Sequence, residues 1–563
     1  MPRTAALSAR RSSRESTPGR LVIVFGDQLD LEATLIRSLA PGDTILMMEV
    51  ASESRHVPSH KQRTALFLSA MRHFAATLKR RQVPVRYIAL DDPENTGAFE
   101  TEIARAVAAL GPTQIVCTHP GEWRVLAMLE RVGDSTGIPV SILPDEHFIT
   151  TPDEFAAWAK DRASLTMEFF YREQRRKTGY LMEGEGKRAK PAGGEWNFDK
   201  ENRLPFGKQG PSPRPRPPLA FAPDAITRAV LAAMTHMLPD LPGSVEAFAW
   251  PVTREQALAA LDDFITHRLA QFGPFEDAMW TNEATLYHST LSSALNLKLL
   301  NPRACCERAI QAYRAGQAPL QSVEAFVRQI IGWREFIRGV YELEGPAYGD
   351  RNGFDQHGQL PPLYWTADTD MACMKACVGQ VLETGFGHHI QRLMVTGNFA
   401  LISGVHPRAV SDWYLGMFVD GVDWVTLPNA LGMVMHADRR QGAAKGVTGL
   451  VGTKPYAASG KYIQRMSNYC TTCRYDPAER SGPVACPVTV FYWDFLIRTR
   501  QTLAPNQRMA MILKNVDRLT PDARTQITSS AGRLRRQLGI DRNVAAPAAR
   551  GSTRDKENKR TNS

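Results

Sequence analysis

The stretch between Leu21 and Asp145 decides the fold, because it contains five short apolar runs separated by longer segments. They are LVIVFGDQL (21–29), DTILMMEV (43–50), VPVRYIAL (83–90), TQIVCTHP (113–120) and IPVSILPD (138–145). The segments between the runs have helical periodicity, as in HKQRTALFLSAMRHFAATLKRR (60–81), where apolar residues recur every three or four positions. Strands that alternate with amphipathic helices predict a Rossmann-like, mostly parallel sheet with helices on both faces. We therefore expect an α/β domain over residues 20–150.

Such a sheet has a ligand crevice at the carboxyl ends of its strands. Asp27, Gln28 and Glu49 follow the first two predicted strands and would lie in it. Neither GxGxxG nor a P-loop pattern follows the first strand, so a tightly bound pyrophosphate or triphosphate is not expected. Asp27 and Glu49 have the chemistry to bind a neutral heterocycle, although carboxylates at strand ends more often cap loops.

The rest of the chain divides into a connection and a helical half. Residues 151–223 are expected to connect the domains, since their second half is rich in Gly, Pro, Lys and Arg and ends in GPSPRPRPPLAFAP (210–223). Residues 224–540 have long helical patterns and very little strand signal, which predicts a large all-α domain. Residues 1–19 and 541–563 are predicted to be disordered basic tails.

Composition supports a globular protein and excludes several classes. The 563 residues are 43% hydrophobic and 22% charged, and eight cysteines are too few for a disulfide scaffold. We find no membrane-length apolar run and no secretory signal, so a cytoplasmic protein without membrane contact is expected. The net charge of +10 is the sign expected of a protein that meets a polyanion, although the tails contribute to it.

Three cysteines near the end of the helical half carry the clearest chemistry. NYCTTCRYDPAERSGPVACPVTVFYW (468–493) places Cys470, Cys473 and Cys486 in the pattern CxxC, twelve residues, CP. A CP ending occurs in iron–sulfur ligand runs. On spacing alone, a zinc site is an equal alternative. A third interpretation is that these cysteines are buried thiols without a ligand. Cys373 and Cys377 are the candidates for a fourth ligand.

Two further segments combine polar and aromatic residues. HHIQRLMVTGNFALISG (388–404) contains an arginine that needs a carboxylate partner from VSDWYLGMFVDGVDW (410–424), and its histidines fit either a general-acid role or a structural one. In NEATLYHSTLSSALNLKLLNPR (282–303), hydroxyls before a helix can bind a phosphate, although caps are more common. GWREF (332–336) suits a stacked aromatic cofactor or base.

The order of these motifs resembles the photolyase/cryptochrome superfamily, and more closely its iron–sulfur bacterial branch, the prokaryotic (6-4) photolyases and related cryptochromes. The motifs are DQL (27–29), HSxLSxxLN (288–296), GWREF (332–336), HHxxR (388–392), DxxDW (420–424), KPYAASG (454–460) and the CxxC and CP cysteines. The resemblance extends from about Leu21 to Arg500. It implies an α/β antenna domain followed by an all-α FAD-binding domain.

The resemblance also implies the residues of the site. Those around FAD would be Ser289, Leu291, Ser292, Asn296, Gln329, Trp333, Arg334, Arg392, Asp420, Asp423 and Met433. Arg392 would pair with Asp420 beside the isoalloxazine, and Asp423 would lie near the adenine and ribose. His388, His389 and Tyr456 would line the catalytic cavity. A 4Fe-4S cluster would be held by Cys373, Cys470, Cys473 and Cys486, which leaves Cys377 spare.

The implied activity is light-dependent repair of (6-4) pyrimidine photoproducts in UV-damaged DNA by a monomer. Excited reduced FAD would donate an electron to a flipped-out lesion, and His389 would donate a proton; a poorly paired lesion is cheap to flip. Trp365, Trp413 and Tyr414 match a proposed chain of redox-active aromatics. Asp27, Gln28 and Glu49 would hold a 6,7-dimethyl-8-ribityllumazine antenna. We expect the basic residues of RQIIGWREFIR (328–338), HPRAV (406–410) and DRRQGAAKG (438–446) around the cavity opening.

The sequence departs from the family pattern at three places. Thr426 stands where the bacterial branch usually has a carboxylate, Leu393 stands where animal (6-4) enzymes have a second histidine, and residues 437–453 add extra sequence. Thr426 and the extra loop motivate the alternative of a cryptochrome-like blue-light photoreceptor with little or no repair activity.

Overall fold

A computed structural model describes residues 19–162, 165–184, 186–438 and 449–541. Nearly all of both predicted tails and residues 439–448 of the extra loop lie outside these ranges. The N-terminal sheet consists of Leu21–Ile23 (β1), Thr44–Met48 (β2), Val85–Ile88 (β3), Ile115–Thr118 (β4) and Val140–Leu143 (β5). All neighbouring strands are parallel, in the order β3-β2-β1-β4-β5. The predicted parallel sheet is therefore confirmed, with one strand in each apolar run.

Helices cover both faces of this sheet. They are Thr34–Arg37 (α1), Ala51–Arg55 (α2), Lys61–Arg80 (α3), Phe99–Leu110 (α4) and Trp123–Thr136 (α5). α4 and α5 end at Gly111 and Gly137, whose φ angles of 53° and 68° favour glycine. The strand order reverses beside β1, so the carboxyl ends of β1 and β4 flank a crevice.

The connection contains two packed helices, Pro152–Ala159 (α6) and Met167–Thr178 (α7), which the composition of its second half did not indicate. α6 begins with a capping box between Thr151 and Glu154. Phe155 packs against Phe336 of the helical half, with ring centroids 5.8 Å apart. After the short antiparallel pair Met182–Glu183 (β6) and Lys190–Pro191 (β7), residues 202–223 form no helix or strand.

The predicted all-α character of the second half is confirmed, since the described part of the chain after residue 223 is mostly helical. Its α-helices are Ala225–Met237 (α8), Arg254–His267 (α9), Leu269–Phe272 (α10), Ser292–Asn296 (α11), Pro302–Arg314 (α12), Leu320–Val327 (α13), Glu335–Glu344 (α14), Leu363–Thr366 (α15), Ala372–Thr384 (α16), Asn398–Ser403 (α17), Pro407–Met417 (α18), Asp423–Pro428 (α19), Gly460–Met466 (α20), Pro487–Arg498 (α21), Arg500–Leu503 (α22), Ala510–Asp517 (α23) and Pro521–Leu538 (α24). One apolar core runs through this half and continues onto one face of the sheet. Within the described ranges, no helix is both long enough and apolar enough to cross a bilayer.

Short 3₁₀ and π-helical segments complete the fold. The 3₁₀ turns are Gly186–Arg188, Ala192–Gly194, Asp199–Glu201, Pro346–Asp350, Tyr469–Thr471 and Gln507–Met509. The π-helical segments are Arg328–Arg334, Gln391–Gly397 and Asn429–Val434. Such wide turns are frequent at functional sites, and all three contain residues of the cavity described next.

Candidate functional site

Residues of the helical half, with a few from the connection, line a cavity of about 820 Å³, within the size range of ligand pockets. Nine of the residues expected around a flavin line it: Ser289, Ser292, Asn296, Gln329, Trp333, Arg334, Arg392, Asp420 and Met433. The three residues expected to be catalytic, His388, His389 and Tyr456, line it too. Residues from distant parts of the sequence therefore meet at one site.

Arg392 and Asp420 form the expected ion pair in the cavity wall. The Arg392 Nη1 and Nη2 atoms donate to the two carboxylate oxygens at 2.9 and 3.1 Å. The Arg392 Nε atom donates to the Gly387 carbonyl at 2.6 Å, and the Phe418 ring centroid lies 3.9 Å from the guanidinium carbon. Burial acts to raise the pKa of Asp420, but Arg392 outweighs it and holds this pKa below its ordinary value. The pair is therefore charged at neutral pH.

Leu291 and Asp423 take other positions. Leu291 is buried in the apolar core. Asp423 lies at the interface with the N-terminal α/β domain, where it accepts a hydrogen bond from the Tyr341 hydroxyl at 2.7 Å. The Tyr341 ring stacks on Trp123, with centroids 5.5 Å apart. Burial, reinforced by Glu122, raises the pKa of Asp423 to about 7. Leu291 and Asp423 therefore have structural contacts away from the cavity lining.

His288 is a cavity residue whose role the sequence did not reveal, although it begins the HSxLSxxLN motif. Its ring stacks on His388, with centroids 4.4 Å apart and planes inclined by 14°. His388 is 3% exposed, and neither of its ring nitrogens has a hydrogen-bond partner among the described residues. Buried polar atoms without partners are uncommon. The ring nitrogens of His388 are therefore available to a ligand, as is the Nε2 atom of His288.

The buried histidines predict a loss of stability at mildly acidic pH. Burial lowers the pKa of His288 to about 3, and burial with the neighbouring histidines lowers that of His388. In the unfolded chain these histidines have their ordinary pKa of about 6.5, so they are protonated at a higher pH than in the folded protein. The free energy of unfolding should thus fall as pH falls below about 6.5, by up to about 1.4 kcal/mol per pH unit for His388. Urea unfolding between pH 7.5 and 5.5 measures this decline. His388→Phe should make it shallower, and an unchanged slope would contradict the prediction.

Aromatic rings lead from the cavity wall towards the surface. The Tyr414 hydroxyl donates to the Arg392 carbonyl at 2.7 Å, and its ring centroid lies 5.4 Å from that of Trp413. Trp413 is 1% exposed and packs against Tyr364 at 5.1 Å. Trp365 follows Tyr364 and is 37% exposed. Tyr364 extends the expected chain of redox-active aromatics. It was not selected from the sequence, because it lies in none of the motifs.

The four expected cluster ligands line one small cavity. Cys373 and Cys486 are buried, whereas Cys470 and Cys473 are partly exposed. A Cβ atom at Gly460 would lie only 2.9 Å from the Cys486 Sγ atom, so this glycine leaves room beside the thiols. Across the described ranges, no group of three or more His, Cys, Asp or Glu side chains has the arrangement needed for a single metal ion. The spare thiol of Cys377 does not line this cavity and instead lies 3.9 Å from the Tyr469 hydroxyl.

A crevice of about 90 Å³ lies at the carboxyl ends of the sheet strands. Asp27 lines it, but Gln28 is buried beside it and donates to the Thr118 carbonyl at 3.0 Å. Glu49 also contributes to the wall. Its carboxylate, however, accepts hydrogen bonds from Arg72, Tyr87 and the Leu90 backbone N–H. These partners leave it little capacity to bind a ligand.

Glu53, which the sequence analysis did not select, is better placed in the crevice. Its Oε2 atom is buried and has no hydrogen-bond partner among the described residues, whereas its Oε1 atom accepts from Arg124. It lies in the first turn of α2, which follows β2 after two residues, and this place near a strand end was the only available signal. Asp27 and Glu53 are therefore the crevice carboxylates with capacity for a ligand.

The basic residues expected at the cavity opening are largely paired. Arg328 lines the cavity and contacts Glu324 and Asp199, and Arg334 pairs with Glu335 at 2.9 Å. Other members of the expected set pair elsewhere: Arg338 with Glu342 and Arg408 with Asp412. Residues 439–446 lie outside the described ranges. Two arginines that were not selected, Arg203 and Arg508, line the cavity instead.

Comparisons with known proteins agree with this architecture. The family model for deoxyribodipyrimidine photo-lyase-related proteins matches residues 22–250. A (6-4) photolyase of Agrobacterium fabrum (strain C58) is 46% identical over 520 residues, which cover 92% of this chain and 99% of the relative. A bacterial class III photolyase of Agrobacterium tumefaciens has a similar fold, with a TM-score of 0.52, 13% identity and coverage of 94% and 98%. The cryptochrome of Synechocystis sp. PCC6803 has a TM-score of 0.52, 15% identity and coverage of 93% and 99%.

Proposed function

Because the chain belongs to the photolyase/cryptochrome family, as a relative of the Agrobacterium (6-4) photolyase, we propose that it repairs (6-4) pyrimidine photoproducts in DNA under blue light. Family membership implies FAD as the cofactor. The observation that carries the proposal is the cavity of about 820 Å³ in which most of the expected flavin-binding side chains meet the expected catalytic ones. A flipped-out nucleotide would enter the same cavity.

The residues around the cavity fit FAD. The free ring nitrogens of His388 and the hydroxyls of Ser289 and Ser292 provide hydrogen-bonding groups for a polar cofactor. The Arg392–Asp420 pair adds a fixed pair of charges to the wall. When bound and reduced, FAD supplies one electron to the lesion under light; the side chains bind the cofactor, orient the lesion and exclude water.

We propose that His389 donates the proton that accompanies repair. Its side chain is exposed to the cavity. The protein walls of the cavity and the positive charge of Arg392 lower its pKa to about 4, so the ring is neutral at neutral pH before DNA binds. A negatively charged phosphate beside the ring would raise this pKa. His389 would therefore become protonated only with its substrate in place.

His389→Asn tests this assignment. The variant should keep its flavin absorption and its affinity for lesion DNA, but lose repair by about 100-fold or more, because a general acid typically contributes that much. His357→Asn alters an exposed histidine that contacts Asp355 and serves as the control. Repair at the wild-type rate by His389→Asn would refute the role.

We propose that Trp365, Tyr364, Trp413 and Tyr414 carry electrons from the surface to the cavity. Trp413→Phe should slow light-driven flavin reduction by about tenfold or more, since phenylalanine is much harder to oxidise and a barrier change of 1.4 kcal/mol gives that factor. Absorption spectra during illumination with an external reductant measure the rate. Flavin content should stay unchanged. Trp493→Phe, on α21, is the control, and equal rates in both variants would contradict the proposal.

We propose that Cys373, Cys470, Cys473 and Cys486 hold a 4Fe-4S cluster rather than zinc. One zinc ion requires its four sulfurs to converge on a point, whereas the cluster spreads its thiolates over four irons. Four thiols around one cavity supply the four thiolates that such a cluster needs, and Pro487 follows Cys486 as in iron–sulfur ligand runs.

We propose that 6,7-dimethyl-8-ribityllumazine binds in the antenna crevice. Phe67 and Met71 offer apolar walls for a flat ring, and Asp27 and Glu53 can accept hydrogen bonds from its N–H or hydroxyl groups. The photoreceptor alternative has less support. Thr426, its main motivation, is buried and is absent from the cavity lining in the described part of the chain.

A further inference from the structure

The first turn of α7 carries an exposed aromatic ring beside the cavity. Thr166, Met167 and Glu168 line the cavity, and Phe169 follows them directly. The side chain of Phe169 is 54% exposed, although Phe170 next to it is fully buried in the core. An exposed phenylalanine stabilises the fold little, so its position at this edge calls for another explanation.

Arg172 lies near both this ring and the ring of Trp196. The Arg172 guanidinium carbon lies 5.7 Å from the Phe169 ring centroid and 5.5 Å from that of Trp196. Arg176 is exposed and lies 4.7 Å from the Trp196 ring. The chain then continues from Trp196 to Asp199 and Arg203, which line the same cavity. We call Phe169, Arg172, Arg176 and Trp196 the rim patch.

The charge of the rim patch suits an anionic partner. Glu168 is neutralised by Arg172, whose Nε atom donates to its carboxylate at 2.9 Å. Asp199 contacts both Arg328 and Arg203. Arg176, in contrast, forms no ion pair with any carboxylate in the described ranges, so its guanidinium group is open to an anionic partner. Aromatic faces next to arginines are the surface that proteins use to stack bases and contact phosphates.

We propose that the rim patch binds the DNA strand next to the flipped-out lesion, with Phe169 stacking on the adjacent base and Arg176 contacting a phosphate. This inference rests on the proposed function, since it names the contact that holds the substrate of the same cavity. Flipping a lesion leaves an unstacked neighbour, and an apolar side chain that fills such a gap stabilises the distorted DNA.

Equilibrium binding of a duplex with one (6-4) lesion tests the proposal. Phe169→Ala should weaken binding about tenfold, because stacking of one base on an aromatic ring contributes about 1–3 kcal/mol. The dependence of affinity on salt should stay unchanged, since no phosphate contact is lost. Arg176→Gln should reduce that salt dependence. Phe169→Trp should bind like the wild type, and Leu110→Ala, which alters an exposed leucine of the antenna domain, is the control.

The outcomes separate this inference from the proposed function. Wild-type protein that repairs the lesion, combined with wild-type affinity in Phe169→Ala, would overturn the rim patch alone. Wild-type protein that neither binds nor repairs lesion DNA would overturn both. A tenfold loss in Phe169→Ala, with an unchanged melting temperature and rescue by tryptophan, supports the inference.

Discussion

The Arg392→Leu variant is expected to lose its flavin, and its free energy of unfolding should be about 3 kcal/mol lower than that of the wild type. The change removes both hydrogen bonds to the Asp420 carboxylate and the one to the Gly387 carbonyl. It leaves a buried carboxylate without its cation, which typically costs about 3–5 kcal/mol. We take the lower end of this range because the Arg392 side chain is 22% exposed. Urea unfolding and the flavin absorption of the purified protein measure the two effects.

An exposed ion pair provides the matched control for this experiment. Arg408 and Asp412 are 2.9 Å apart, but their side chains are 41% and 39% exposed. Arg408→Leu should therefore change the free energy of unfolding by at most about 1 kcal/mol. Equal effects of the two substitutions, or full flavin content in Arg392→Leu, would show that the cavity pair has no special role.

Cys373→Ser is expected to lose its iron and the broad absorption near ~400 nm that a thiolate-bound iron–sulfur cluster gives. Serine offers a hard oxygen, which is a much poorer ligand than a thiolate for a soft metal centre. The region should also become less stable, because metal binding at such sites contributes to folding. Iron analysis and absorption spectroscopy of the purified variant measure the loss.

Cys377→Ser distinguishes this assignment from its nearest rival. Cys377 lies one turn further along α16 and is also buried, but it does not line the thiol cavity, and its thiol lies 3.9 Å from the Tyr469 hydroxyl. This variant should retain its iron and its spectrum. Loss of iron in Cys377→Ser, with retention in Cys373→Ser, would reverse the ligand assignment, and zinc without iron in the wild type would refute the cluster.

The sequence predicted the parts of the fold that depend on local periodicity. The five apolar runs contain the five strands, and the helical pattern beyond residue 223 is observed. It did not predict that α6 and α7 pack on the helical half, because the Gly and Pro content of residues 184–223 obscured the amphipathic segments before them. Partners such as Phe155 and Phe336 are separated by a long stretch of chain.

The candidate site was predicted where a motif fixes a partner, as with Arg392 and Asp420. The prediction was poorer for residues whose role depends on side chains that are distant in the sequence. Glu49 has the right position at a strand end, but Arg72 and Tyr87 occupy its carboxylate. His288 gained its place only through the stacking contact with His388. Neither contact leaves a local signal in the sequence.

Light-dependent repair of a defined lesion tests the central claim most directly. The wild-type protein, with its flavin fully reduced, is mixed with a duplex oligonucleotide that contains one (6-4) photoproduct and is illuminated with blue light; a dark sample is the control. We expect the lesion to be converted to intact pyrimidines only in the light. Persistence of the lesion in the illuminated, fully reduced sample would contradict the proposed function.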